Sequence, residues 1–153
     1  MSLTWKERIK VQFLGIRPWK RHSLVLLVAG TVYVFTGVAY TLAEITPERE
    51  IALVIALRWA PIDVWGFVWI LSGLLAILSS RWPPVAETWG YMVLTGLSAG
   101  WGATYAMGVI FTESPTTNLS SAIVWSLVAF MWWAISGLVN PDQTGVTPHD
   151  RPN

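Results

Sequence analysis

The sequence contains no cysteine and carries little charge. The lack of cysteine excludes disulfide bonds, thiolate metal sites and cysteine nucleophiles. Charged residues make up 12% of the chain, about half the share that is typical of a soluble domain. The net charge of +1 gives no indication of a nucleic-acid partner. With 54% hydrophobic residues and a mean hydropathy of +0.51, the composition instead indicates a membrane protein.

Charge is also missing from the central part of four long apolar stretches. Each has about the 20 residues that a helix needs to cross a hydrocarbon core of about 30 Å. The sequence therefore predicts one all-α domain, an integral membrane four-helix bundle. The predicted spans are residues 23–43, 62–80, 88–111 and 120–139.

Residues 4–18 before the first span predict an amphipathic helix. Trp5, Ile9 and Phe13 recur at four-residue steps, while basic residues lie mostly off that stripe, and Pro18 ends the pattern. Such a helix lies flat in the membrane interface. The alternative is that it packs on the protein's own cytoplasmic surface.

A shorter helix is predicted over residues 47–58, between the first two spans. Thr46 and Pro47 form a good helix start, but the apolar run that follows is too short to cross a membrane. We expect this helix on the extracytoplasmic side. Whether it enters the bilayer, or even forms a fifth span, is left open by the sequence.

Basic and aromatic residues flank the spans and predict their orientation. All lysines and arginines except Arg49 and Arg58 fall on the side that holds both termini, which the positive-inside rule places in the cytoplasm. We therefore expect a multi-pass protein of the inner (cytoplasmic) membrane, with a polar, disordered tail over 141–153. The predicted interface residues are Trp5, Phe13, Trp19, Lys20, Arg21, Arg81 and Trp82.

Residues with catalytic or metal-binding chemistry are sparse. The two histidines, His22 and His149, lie at a membrane edge and in the tail, and no span contains a pair of carboxylates. We expect no enzyme activity, metal or cofactor. Asp63 complements the positive end of a helix that begins near Pro61. Its alternative role is a cation-selecting charge at an outer vestibule.

Small residues at regular spacing are the most informative pattern. Such residues let helix backbones approach closely in lipid, either inside one bundle or between subunits. The third span carries two faces of small residues. One partner helix cannot fill both, and this favours self-association. The predicted packing or oligomerisation residues are Gly96, Gly100, Thr104 and Gly108 on the third span, and Gly30 and Gly37 on the first.

Two motifs carry a resemblance to a known group of proteins. One runs from Arg81-Trp82-Pro83-Pro84-Val85 to Glu87-Thr88-Trp89-Gly90-Tyr91, and the other is Trp132-Trp133-Ala134-Ile135-Ser136-Gly137 before Asn140-Pro141. In these the chain resembles the small four-span membrane proteins encoded by phages of actinobacteria. The resemblance implies a phage setting and a holin or a virion-associated membrane protein, and it carries over no catalytic residue.

Two functional hypotheses follow. The preferred one is a holin-like protein whose copies associate through the face of Gly96 and Gly100 and permeabilise the membrane. The alternative is a non-catalytic structural or interaction subunit of a larger assembly, such as a phage tail or a host membrane complex. A transporter or membrane enzyme is disfavoured, because no ionisable residue lies within a predicted span away from its ends. The expected partners are the lipid bilayer, further copies of the chain and the proteins of such an assembly.

Overall fold

The computed structural model describes residues 21–42, 44, 46–81, 87–111 and 117–138. Within these ranges every regular element is a helix, so the predicted all-α class is confirmed there. Four of the six helices are long and apolar enough to cross a membrane. The helices are α1 (Arg21–Leu42), α2 (Pro47–Ala52), α3 (Val54–Trp59), α4 (Ile62–Arg81), α5 (Glu87–Phe111) and α6 (Thr117–Leu138).

Several predictions concern residues outside the described ranges. These are the amphipathic helix over 4–18, the tail over 141–153, and the interface residues Trp5, Phe13, Trp19, Lys20 and Trp82. They stay predictions.

The four long helices form two hairpin pairs. α1 packs along α4 and α5 along α6, and the pairs are joined mainly between α4 and α5. α1 makes few contacts with α5 and fewer with α6, so the bundle is loosely closed on that side. Hydrogen bonds tie the pairs at the Arg21 end of the bundle, where the Tyr91 hydroxyl donates to the His22 carbonyl over 2.9 Å and the Ser23 hydroxyl to Glu87 Oε1 over 2.9 Å.

Four glycines bring α1 and α4 into backbone contact, and we call them the glycine seam: Gly30, Gly37, Gly66 and Gly73. A Cβ added to Gly30 would lie 2.6 Å from the Gly73 carbonyl oxygen, and one added to Gly37 would lie 2.5 Å from that of Gly66. The pairing of early with late residues reflects the antiparallel course of the helices. Since lipid is as apolar as a leucine side chain, such close approach is a main source of helix association in a bilayer.

The segment between α1 and α4 forms two short helices where the sequence predicts one. Thr46 caps α2, accepting a hydrogen bond from the Arg49 N–H over 3.4 Å. The helix ends at Leu53, whose φ of −102° and ψ of 14° depart from helical values. Leu53 is buried, and the Trp65 indole N–H of α4 donates to the Ala56 carbonyl over 3.0 Å. α2 and α3 are thereby held against the Leu42 end of the bundle.

An aromatic cluster fills the space between the hairpins. Trp69 on α4 is 0% exposed, and its ring lies 4.8 Å from that of Tyr33 on α1. It also lies 5.6 Å from Trp101 on α5 and 5.1 Å from Trp125 on α6. The abundance of tryptophan predicts interface positions, but these rings are interior. Large rings suit this position, because a void between the hairpins would lose dispersion contacts.

Candidate self-association site

An apolar groove opens on the surface of the bundle between α4 and α5, and we call it the α5 groove. Its volume is about 470 Å³. α4 contributes Val68 and Ser72 to the lining, and Ile55 and Trp59 of α3 reach it at the Leu42 end. Along α5 the lining includes Gly96, Gly100, Ala103, Thr104 and Met107.

The small residues of α5 leave this groove unfilled. A Cβ added to Gly96 or Gly100 would meet nothing within 4 Å. Both glycines are exposed, and Ala103 beside them is exposed as well. The α5 groove therefore has the low floor that a second helix needs for close backbone approach.

The lining of the groove is mainly apolar. None of its lining residues is ionisable. The hydroxyl of Ser72 donates to the Val68 carbonyl over 2.7 Å, and that of Thr104 to the Trp101 carbonyl over 2.7 Å. Both hydroxyls are therefore satisfied on their own helices and need no polar partner from an occupant.

The structure divides the predicted packing residues among different surroundings. Gly96, Gly100 and Thr104 share the α5 groove, whereas Gly108 is buried and does not line it. Gly30 and Gly37 belong to the glycine seam inside the protomer.

The second small face of α5 packs within the bundle. A Cβ on Gly102 would lie 3.1 Å from the Ser126 hydroxyl and 3.4 Å from the Ala122 carbonyl oxygen, both on α6. One small face of α5 is therefore used by α6, and the other is open.

The charged residues singled out in the sequence lie away from the groove. Asp63 is exposed in the first turn of α4 and does not line the α5 groove. Its suggested role at a vestibule stays a prediction. Arg21 is exposed and Arg81 half-buried at the opposite end of the bundle. No three histidine, aspartate or glutamate side chains of the described residues are grouped as metal ligands.

A buried chain of hydrogen bonds links three spans. The Trp132 indole N–H donates to the Tyr33 hydroxyl over 3.1 Å, and the Tyr33 hydroxyl is bonded to Ser98 Oγ. Ser98 Oγ in turn donates to the Leu94 carbonyl over 2.7 Å. The indole nitrogen only donates, and the single Ser98 hydroxyl proton goes to the Leu94 carbonyl, so the Tyr33 hydroxyl accepts from Trp132 and donates to Ser98. Tyr33 and Ser98 lie in different predicted spans, and the sequence gives no sign that they meet.

Many of the other hydroxyls within the spans are satisfied locally, whereas the buried Thr95 hydroxyl has no hydrogen-bond partner among the described residues. The sequence leaves open whether they bond across helices or line a wet path. Several donate instead to carbonyls three or four residues earlier on their own helices, which favours neither alternative. These are Thr31, Thr36, Thr41, Ser72, Ser79, Ser80, Thr104 and Ser136.

Comparison of the chain with protein-family models, curated proteins and solved structures finds no match. The resemblance to small phage membrane proteins therefore stays a prediction from the two motifs.

Proposed function

We propose that the protein is holin-like: its copies associate through the α5 groove and together make the membrane permeable. The observation that carries this proposal is the open floor at Gly96 and Gly100, on a membrane-length helix whose other small face is already filled by α6. A holin acts through assembly of many copies, so it needs an unfilled packing surface of this kind. The phage resemblance of the sequence motifs points in the same direction.

The packed aromatic interior of the protomer supports a pathway between copies rather than through one. Trp69 and Trp101 fill the space between the two hairpins and are almost fully buried. The Tyr33 and Ser98 hydroxyls are bonded to each other. Water and solutes would therefore cross at the boundaries of an assembly.

We also propose that the Arg21 end of the bundle faces the cytoplasm. Arg21 and Arg81 lie at this end, whereas the segment before α4 at the other end carries Glu44, Glu48 and Glu50 beside its two arginines. Since the chain has no cysteine, single cysteines are clean reporters. In cells whose membrane potential is still intact, a membrane-impermeant thiol reagent should label Glu48→Cys and leave Arg21→Cys unlabelled. Labelling of Arg21→Cys and not of Glu48→Cys would show that the orientation is the opposite one.

The permeabilising activity is tested by induced expression in a bacterium. A voltage-sensitive dye should report collapse of the membrane potential, and co-expressed endolysin should then reach the cell wall and lyse the cells. Full potential and normal growth at high expression would refute the holin-like function.

The role of the α5 groove is tested separately in detergent and in cells. The double substitution Gly96→Leu and Gly100→Leu fills the floor of the groove. It should reduce the oligomer to smaller species and abolish the membrane depolarisation that the dye reports. Gly137→Leu is the matched control, because Gly137 also meets nothing within 4 Å but lies on α6 outside the groove. An unchanged oligomer size in the double variant would rule out the groove as the contact.

A structural subunit of a larger assembly is the second candidate. The lining of the α5 groove favours this candidate, because it has no charge that selects a partner. An apolar helix of a different protein therefore suits the groove equally well. This candidate predicts that expression causes no leak and that a distinct membrane protein co-purifies with the wild type. The same protein should be lost from the Gly96→Leu/Gly100→Leu double variant.

A further inference from the structure

A second groove lies on the loosely closed side of the bundle, between α1 and α6, and we call it the α1/α6 groove. Its volume is about 390 Å³, and it lies in the half of the bundle nearer Arg21. One wall is formed by α1, and Trp132 of α6 lies at its floor beside Tyr33. The lining from α1 includes Val25, Val28, Ala29 and Val32.

The floor of this groove has polar atoms but offers none of them to an occupant. The indole N–H of Trp132 and the hydroxyl of Tyr33 are bonded to each other over 3.1 Å, and the Tyr33 hydroxyl is also bonded to Ser98 Oγ. The remaining lining residues are aliphatic. A polar solute would gain no hydrogen bond there, so the groove suits hydrocarbon.

The walls favour a thin flexible chain over a helix of a second copy. Close helix approach in lipid uses small residues. The α5 groove has glycines on its floor, whereas the exposed residues here are branched: Val28 is 56% and Val32 55% exposed. Branched side chains keep a second backbone away, but an acyl chain can follow the furrow between them.

The length of the groove matches one leaflet. Its α1 lining extends from residue 24 to residue 33, about 14 Å along a helix that rises 1.5 Å per residue. Half of a hydrocarbon core of about 30 Å is about 15 Å.

The positive charge of Arg21 lies at the end of the α1/α6 groove where a lipid headgroup would lie. Arg21 precedes Leu24 and Val25 by three and four residues, so it continues the lining face by one turn. Arg21 is exposed, and side chains on a helix tilt toward its N-terminus, which carries the guanidinium beyond the apolar lining. A guanidinium pairs well with phosphate oxygens.

We propose that the α1/α6 groove binds one acyl chain of an anionic phospholipid, drawn from the leaflet at the Arg21 end, while Arg21 pairs with its headgroup. This site is distinct from the α5 groove and does not depend on the holin-like function. The bound acyl chain fills the gap between α1 and α6.

Native mass spectrometry of the full chain in detergent, titrated with phosphatidylglycerol or phosphatidylcholine, tests the proposal. The wild type should retain one phosphatidylglycerol more tightly than phosphatidylcholine. Arg21→Gln should weaken phosphatidylglycerol binding about five-fold, the contribution of one basic residue at an anionic surface, and leave phosphatidylcholine unchanged. Val28→Trp, which narrows the furrow, should weaken both lipids.

Matched controls separate the site from general lipid contact. Arg58→Gln removes an exposed arginine at the other end of the bundle, and Val124→Trp enlarges an exposed residue that lines neither groove. Both should bind lipid as the wild type does. Equal effects of Arg21→Gln and Arg58→Gln would overturn the headgroup contact. A change of oligomer size in Val28→Trp, with lipid binding intact, would show a second copy in the groove and overturn the acyl-chain site.

Discussion

Gly73 in the glycine seam and Gly96 in the α5 groove are both glycines in membrane-length helices, and their surroundings are opposite. A Cβ on Gly73 would lie 2.5 Å from the Gly30 carbonyl oxygen and 2.7 Å from the Val34 backbone nitrogen, both on α1. A Cβ on Gly96 would meet nothing within 4 Å. Small-residue spacing in a membrane helix therefore marks a capacity for close packing, but not the partner that uses it. In the seam the partner is the next span of the same chain. At the α5 groove we propose that it is another molecule.

The largest expected effect comes from Gly73→Ala. The added methyl group meets backbone atoms of α1, which cannot rotate away as a side-chain end does. We expect a loss of about 3 kcal/mol of unfolding free energy, at the upper end of the usual cost of overpacking. Denaturation by SDS, followed by circular dichroism, measures it. A change within error of the wild type would mean that α1 and α4 are not in backbone contact.

A smaller loss is expected for Gly90→Ala on α5, where the neighbours are side chains. The new Cβ would lie 2.9 Å from Leu26 Cδ2 and 3.0 Å from the Ser79 hydroxyl. Both residues are fully buried, so they yield only in part, and we expect a loss of about 2 kcal/mol in the same titration. A loss as large as that of Gly73→Ala would remove the distinction between backbone and side-chain neighbours.

Tyr33→Phe tests the hydrogen bond between α1 and α6. The substitution leaves the indole N–H of Trp132 without its acceptor, while Ser98 keeps its bond to the Leu94 carbonyl. We expect a loss of about 1 kcal/mol, the scale of an interhelical hydrogen bond in a membrane protein. The control is Ser136→Ala, because that hydroxyl bonds only to its own helix through the Trp133 carbonyl. An equal effect of the two variants would argue against an interhelical bond.

The smallest effect, and one of opposite sign, is expected for Gly96→Ala. Open space receives the methyl group, and alanine is more favourable than glycine within a helix, so the protomer should gain about 0.5 kcal/mol. The measurement is made on protein diluted in detergent until it is monomeric. Marked destabilisation of that monomer would place a neighbour of the same chain over Gly96 and contradict the open floor.

Parts of the candidate site are readable in the sequence. Gly96, Gly100 and Thr104 stand out by spacing alone, and the structure brings them to one groove. Gly108 shares the spacing but is buried and does not line the groove, and spacing alone does not show which residues of a helix are covered. The meeting of Tyr33 and Trp132 was not predictable, since they are 99 residues apart and no pattern in the sequence links the two.

The sequence by itself determines that the chain has four membrane-length apolar helices. The physical reason is local: within lipid each backbone polar group must be satisfied inside its own segment, and the bilayer thickness sets the length of that segment. The tertiary structure alone decides which face of each helix turns inward. The spans are apolar all round, and lipid is as apolar as the bundle interior, so no alternation of polar and apolar residues marks the buried face. That rotation encloses Trp69, seals the glycine seam and leaves Gly96 and Gly100 open.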